Sequence, residues 1–174
     1  MEVAQRRAGI LTELPPGFRF MPTDQELVQH YLWKKELSIP VPGKVFQDID
    51  ARELYAKPPK SLVTFSREDR EWYFFIYENE DSDDDVRTAK TRVVENGQGF
   101  WKSWQEEDDP IYDADGNVIA FKKNLTYFSC RSSKPKKTHW TMQEYRCNKG
   151  KGLKRKAGWV LSRMKRGREY TSCF

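Results

Sequence analysis

Four cationic side chains stand close together in a seven-residue stretch of the sequence. They are Arg131, Lys134, Lys136 and Lys137, and the same stretch contains Pro135 but no acid. Like charges at this spacing repel one another unless a polyanion neutralises them, and nucleic-acid phosphate is the commonest such partner. The pattern predicts a phosphate-binding loop, and a solvated hairpin tip is equally compatible with the loop taken alone.

The segments on either side of this loop must position the cations. Residues 125–130 and 138–146 are rich in aromatic and β-branched side chains that nearly alternate with polar ones, which favours strands over helices. Proline excludes the loop itself from regular strand pairing. The four cations are therefore expected to project from a sheet edge into water.

Charge is distributed unevenly along the chain. Residues 131–168 contain fourteen lysines and arginines against one acid, Glu144, whereas residues 1–130 contain more acids than bases. A basic C-terminal third on a mildly acidic body indicates a nucleic-acid-binding face.

Composition limits the class of protein. The 174 residues suit one domain, and aromatic residues make up 14% of them, so large rings are expected to dominate the core. The absence of a long apolar run or a secretory signal predicts an intracellular soluble protein without a membrane partner. Three scattered cysteines and two histidines offer no paired spacing for a disulfide framework or a zinc site. No metal and no cofactor is predicted.

No catalytic constellation is visible. The sequence has no nucleophile–base pair, phosphate-cradling glycine loop or carboxylate pair at a convincing spacing. His30 is predicted on a helix surface and His139 beside a strand tryptophan, and neither has a partner. The chain is therefore not expected to be an enzyme.

The order of elements predicts an α+β fold, with helices followed by a run of strands. Prolines and a glycine keep residues 14–20 extended, and Thr23 with Glu26 forms a capping box that starts a helix running from Asp24 to about Leu37. A second helix is predicted at 48–55, capped by Asp48 or Asp50, and a doubly covered strand at 71–77.

An extended arm ahead of a helix carries unpaired backbone groups that can pair with the same arm of a second chain. Arg19 and Glu26 have opposite charges and could cross such a two-fold contact reciprocally, or could pair within one chain or with water. The lysine-rich residues 149–156 are predicted to form a link that a nuclear-import receptor could bind.

These landmarks, in this order, resemble the plant NAC transcription-factor domain over about residues 14–165. Five blocks carry the resemblance: Leu14-Pro-Pro-Gly-Phe-Arg-Phe followed by Pro22-Thr-Asp and Glu26-Leu27, then Glu71-Trp-Tyr-Phe-Phe75, Gly99-Phe-Trp-Lys102, Lys136-Lys-Thr-His-Trp-Thr-Met-Gln-Glu-Tyr-Arg146 and Trp159-Val-Leu161.

The resemblance implies a twisted antiparallel β-sheet flanked by a few short helices, with a NAC-like domain at 14–168, a flexible N-terminus at 1–13 and a C-terminal tail at 169–174. It implies a nuclear transcription factor that binds double-stranded DNA as a homodimer or as a heterodimer with related NAC proteins. The dimer is built through the first block, with Arg19 and Glu26 in a cross-subunit salt bridge, and its predicted interface comprises Leu14, Pro15, Pro16, Gly17, Phe18, Arg19 and Glu26.

The resemblance also implies that a sheet edge enters the DNA major groove. Lys102 takes the place of the family's lysine on the leading strand, and Arg92 that of the arginine just before it. Arg131, Lys134, Lys136 and Lys137 are predicted to hold the DNA backbone.

The chain departs from the family in its leading block. Trp104-Gln105 stands where the family has the small pair Thr-Gly, and four acids follow at 106–109. We expect DNA binding to be retained with altered or relaxed specificity. The alternative is a dimerising regulator with weak or no specific DNA binding that blocks full-length relatives, an interpretation also suggested by the chain's ending at Phe174.

Six tryptophans complete the pattern. Four are predicted to lie in the core, on strands: Trp72, Trp101, Trp140 and Trp159. Trp104 is either packed, which its aromatic bulk favours, or an exposed wedge or stacking residue near DNA.

Overall fold

The computed structural model describes residues 20–41, 45–63, 70–78, 91–94, 97–150 and 158–168. The N-terminus at 1–13, the arm from Leu14 to Arg19, the tail at 169–174 and most of the lysine-rich link lie outside these residues. Predictions about those segments, and the bounds of the domain, stay predictions.

One mixed sheet organises the described part of the chain. Its strands are β1 (Phe46–Ile49), β2 (Glu71–Glu78), β3 (Thr91–Val93), β4 (Gly99–Lys102), β5 (Asp109–Tyr112), β6 (Val118–Ser129), β7 (Lys136–Cys147) and β8 (Gly158–Arg166). The order across the sheet is β1-β2-β8-β7-β6-β4-β3, and β5 pairs with β6. Every pair is antiparallel except β1–β2. The predicted α+β class with a largely antiparallel sheet is confirmed, and β1 adds one parallel edge.

Helix α1 runs over residues 24–36. It is α-helical at Asp24–Glu26, π-helical at Leu27–Leu32 and α-helical again at Trp33–Glu36. The Thr23 hydroxyl accepts a hydrogen bond from the Glu26 amide at 3.2 Å, so the predicted N-terminal cap of α1 is confirmed.

The second predicted helix is present but shorter. Helix α2 spans Ala51–Ala56, and the Asp50 carboxylate accepts a hydrogen bond from the Arg52 amide at 2.7 Å. Asp48 does not cap it, because Asp48 lies in β1 and pairs with Lys35 at 2.7 Å. Helix α3 spans Pro59–Leu62, with its proline in the first helical turn.

The sheet is covered on both faces. Leu27, Val28 and Leu32 of α1 pack on one face against a cluster that includes Tyr73 and Phe75 of β2. On the other face the helices α2 and α3 pack against Phe74, Ile76 and Trp101. Because successive strand residues alternate between faces, β2 contributes to both cores, and the prediction of a doubly covered strand at this position is confirmed.

Helix α1 leaves one end of its face uncovered. Residues that pair in register share a face, and Val93 of β3, Phe100 of β4, Phe128 of β6 and Lys137 of β7 form one such row. Val93 is 68% exposed, and the row lies beside the connection between β6 and β7. This end of the sheet therefore presents side chains to solvent.

Gly99 is required where β4 begins. A Cβ atom at this position would overlap the Tyr127 hydroxyl and the Phe128 carbonyl oxygen of the adjacent strand. Since a backbone oxygen cannot move aside as a flexible side chain can, G99A is expected to destabilise the protein by about 3 kcal/mol. Chemical denaturation monitored by tryptophan fluorescence measures this change.

G116A is the matched control for G99A. A Cβ there meets nothing within 4 Å, and only the left-handed φ of 84° is unfavourable, which costs about 1–2 kcal/mol. If G99A loses no more stability than G116A, the close approach of β4 to β6 is not the constraint.

Candidate nucleic-acid interface

The four clustered cations are exposed at the β6–β7 connection. Arg131 and Lys134 lie in the connection, whereas Lys136 and Lys137 begin β7. Within the part of the chain that the structure describes, none of the four has a carboxylate at ion-pair distance. Their side chains are available to an external anion.

Backbone contacts fix the position of this connection. The Cys130 amide donates to the Gln98 carbonyl oxygen at 2.9 Å, which joins the β6–β7 connection to the β3–β4 turn. The Ser132 hydroxyl donates to the Lys134 carbonyl oxygen at 2.7 Å, and the Thr138 hydroxyl donates to the Tyr127 carbonyl oxygen at 2.7 Å. The cations are thus carried by a tied loop next to β4.

Lys102 ends β4 on the same face as Phe100 and Phe128. Its Nζ atom lies 3.8 Å from the centroid of the Trp104 ring, a cation–π distance. Trp104 is 66% exposed. The favoured interpretation of Trp104 as a packed residue is therefore wrong, because the residue lies beyond the end of β4, where neither core reaches it.

Arg92 lies inside the protein. In register it opposes Trp101, so both side chains point toward the core that α2 covers, and Arg92 is 5% exposed. Its Nη2 donates to the Glu144 carboxylate at 2.9 Å, and its Nη1 contacts both Glu144 and the Tyr55 hydroxyl. Sequence reasoning expected Arg92 to reach toward DNA, and the structure places its guanidinium behind β4 instead.

Glu144 is the centre of a buried network that sequence reasoning missed. It is 0% exposed and accepts hydrogen bonds from Tyr55, Arg92 and Arg146, the last at 3.0 Å. Arg146 also pairs with Glu78 at 2.7 Å. The available signal was that Glu144 is the single acid among residues 131–168 and alternates inward with Met142.

Electrostatics favour the ionised form of this carboxyl. Burial alone would raise the pKa of Glu144, but the guanidinium groups of Arg92 and Arg146 and the Tyr55 hydroxyl hold that pKa well below its usual range. Burial would by itself lower the pKa of Arg92, and the Glu144 carboxylate raises it above its ordinary value. The network therefore stays charged at neutral pH.

The acidic run after Trp104 is partly engaged. Asp108 lies 3.8 Å from Lys123, and Asp109 accepts a hydrogen bond from the Asn124 side chain at 3.1 Å. Glu106 and Glu107 are exposed. Two of the four carboxylates are thus held by the protein's own residues, and two face solvent.

Part of the predicted dimer interface lies outside the described residues. This holds for Leu14, Pro15, Pro16, Gly17, Phe18 and Arg19. Glu26 is exposed in the first turn of α1. Phe20 packs edge-on against Tyr31 and Tyr73, with ring centroids 5.6 and 5.2 Å apart, which anchors the chain immediately after the arm.

Two other kinds of site were searched in the described segments. No helix there is long and apolar enough to cross a membrane, and no group of three His, Cys, Asp or Glu side chains is arranged to hold a metal ion.

Comparison with known families decides the affiliation of the chain. The model of the family described as No apical meristem (NAM) protein matches residues 15–147. This chain belongs to that family, the NAC family. The expected resemblance is confirmed, and so is the fold class that it implied.

NAC proteins with curated descriptions align with most of the chain. NAC transcription factor 25 of Arabidopsis thaliana is 38% identical over 79% of this chain and 40% of its own length. NAC domain-containing protein 76 of Arabidopsis thaliana is 36% identical over 86% and 39%, respectively. NAC domain-containing protein 58 of Oryza sativa subsp. japonica is 37% identical over 76% and 33%. The chain therefore spans about 40% or less of the length of these relatives.

In this NAC protein the Glu144 network predicts a large stability effect. E144Q leaves two buried guanidinium groups without their carboxylate and is expected to destabilise the protein by about 3–5 kcal/mol at pH 7. Urea denaturation measures this loss. E53Q, at an exposed glutamate of α2, is the control and should change stability by less than about 0.5 kcal/mol.

The same network predicts an acid dependence. Because the folded-state pKa of Glu144 is depressed, its contribution is complete above the unfolded-state pKa of about 4.3 and is lost as pH falls toward the folded-state value. The difference in unfolding free energy between the parent and E144Q should therefore shrink as the pH is lowered below about 4.3. A difference that stays constant would contradict the assignment of the charge to Glu144.

Proposed function

We propose that this chain is a DNA-binding regulator of transcription that acts as a dimer in the nucleus. Its family membership and the printed description of NAC transcription factor 25 support the class of function. The single structural observation that supports it most is the set of four exposed cations without carboxylate partners at the β6–β7 connection. A polyanion such as double-stranded DNA would neutralise them.

The cations have distinct roles in this proposal. Arg131, Lys134, Lys136 and Lys137 hold the phosphates of one strand, and each neutralised phosphate releases counterions and adds to the salt dependence of binding. These contacts position the protein and carry no sequence information by themselves.

Base reading in the proposal comes from the neighbouring end of β4. A two-stranded ribbon fits the major groove of B-DNA, and the β3–β4 pair ends beside the basic connection. Lys102 is the nearest cation for base contacts, and it must leave the Trp104 ring to make them. Arg92 supports this strand pair from inside through Glu144 instead of touching DNA.

Dimerisation in the proposal uses the arm at 14–19. Arg19 of each copy pairs with Glu26 of the other, and the exposure of Glu26 is compatible with such a contact. The partner is a second copy or a related NAC protein. The lysine-rich residues 149–156 serve in nuclear import.

Replacing Lys136 and Lys137 by alanine tests the phosphate contacts. The double variant is expected to bind all duplexes about tenfold more weakly, with the salt slope reduced by about two, because two phosphates are no longer neutralised. Fluorescence anisotropy at several salt concentrations measures both quantities. K57A/K60A removes the same charge from exposed lysines near α2 and should leave binding unchanged; equal affinities of the two double variants would refute the phosphate role.

The alternative function is a dimerising regulator that blocks full-length relatives and binds DNA weakly or without specificity. Exposed Glu106 and Glu107 beside Trp104 favour it, since carboxylates repel phosphates. A mobility-shift titration on random duplexes at two salt concentrations separates the two functions, because a pure blocker gives no shift at either.

Charge reversal at the arm tests the dimer. R19E or E26R alone places like charges across the proposed two-fold contact and is expected to shift the protein toward monomer by roughly tenfold in dissociation constant, whereas R19E/E26R restores the dimer. Light scattering coupled to size-exclusion chromatography measures the mass. Single variants that dimerise as the parent does would exclude this pair from the interface.

A further inference from the structure

Three aromatic side chains form an exposed cluster at the end of the sheet that α1 leaves uncovered. We call Phe100, Trp104 and Phe128 the aromatic platform. The Phe100 and Phe128 rings stack across β4 and β6, with centroids 5.2 Å apart and planes 8° apart. The Trp104 ring meets Phe128 edge-on at 6.2 Å. The platform is therefore a preformed set of rings on a sheet surface.

The platform is open to solvent. Trp104 is 66% exposed despite its contacts with Phe128 and Lys102, and Val93 in the adjoining row is 68% exposed. Phe100 and Phe128 are half-buried. Exposing so much aromatic surface is unfavourable in water, and a contiguous apolar patch on a protein surface is a common mark of a binding site.

Cations border the platform on two sides. Lys137 stands opposite Phe128 in register, and the Lys102 ammonium lies against the Trp104 ring. The exposed Arg131 and Lys134 follow in the β6–β7 connection. Aromatic rings for stacking with a cationic border for a phosphate backbone are the two features that single-strand-binding proteins combine.

The state of the bases selects the ligand. In a duplex each base stacks on its neighbours, so only base edges and methyl groups are accessible in the grooves. An unpaired base exposes its aromatic face and can stack on a protein ring. Rings displayed on a sheet beside cations thus match an unpaired base better than a paired one.

We propose that the aromatic platform stacks unpaired bases of single-stranded DNA, with Trp104 as the principal stacking residue. This site is additional to the duplex contacts under Proposed function, and only the choice of DNA over RNA rests on that function. Phosphates of the strand run from Lys102 past Lys137 toward Arg131. Glu106 and Glu107 limit the strand on the far side of Trp104.

The test compares strands with identical phosphates. A labelled single strand of about 12 thymidines is titrated into the full chain beside an abasic strand of equal length, and anisotropy is measured. The chain is expected to bind the thymidine strand about tenfold more tightly, since only that strand can stack. Equal affinities for the two strands would overturn the proposal, because phosphate contacts alone would then explain binding.

Variants assign the preference to the platform. W104A is expected to remove most of the tenfold preference, and W104F to keep part of it because a ring remains. F128L reports on the neighbouring ring with a smaller risk to folding than F128A. Y112A, at an exposed ring of β5 that is 51% exposed, is the matched control and should bind as the parent does. An unchanged preference in W104A would overturn the assignment of the site.

Further arms separate other outcomes. A uridine RNA strand bound more than tenfold better than the thymidine strand would overturn the choice of DNA. Loss of self-association in W104A without any base preference in the parent would show that the platform is a protein contact. Base-dependent binding of single strands without duplex binding would sustain this proposal and refute the duplex function, whereas duplex binding with equal affinity for the abasic strand would do the reverse.

Discussion

The buried carboxylate of Glu144 is the interaction on which the interface depends. It lies on β7 and holds Arg92 of β3, while Arg146 links it to Glu78 of β2. Tyr55 brings α2 to the same carboxylate. A charge in the interior is tolerated only when it is paired and hydrogen-bonded, so these partners hold several strands in one arrangement. The short β3–β4 pair, which has few other contacts, is positioned through this network.

The described cations fall into two groups by their partners. Some are used within the protein: Lys35 pairs with Asp48, and Lys122 and Arg163 pair with Asp24. The four cations at the β6–β7 connection have no carboxylate partner among the described residues and remain exposed. A modest net charge of +5 therefore produces a local positive field at one end of the sheet, and a local field of this kind attracts a polyanion far better than the same charge spread evenly.

Trp104 changes what this end of the sheet can recognise. Its indole covers the Lys102 ammonium and extends the pair of stacked phenylalanines. The surface beside the basic connection thus consists of rings as well as charges. Hydrogen-bonding readout of base edges needs polar groups free to move, whereas ring stacking needs exposed base faces, so the two modes ask for different nucleic-acid structures.

The sequence by itself determined the α+β class, the cap of α1, the doubly covered β2 and the cationic connection, because each follows from local patterns of charge, period and turn residues. Only the tertiary structure decided the fates of Arg92 and Trp104. Arg92 lies on a three-residue strand, too short for its alternation to show which side is buried, and its partner Glu144 is 52 residues away. Trp104 follows the end of β4, and whether a bulky ring there is covered depends on which helix lies over that face. Register and coverage are long-range properties, which a local pattern does not encode.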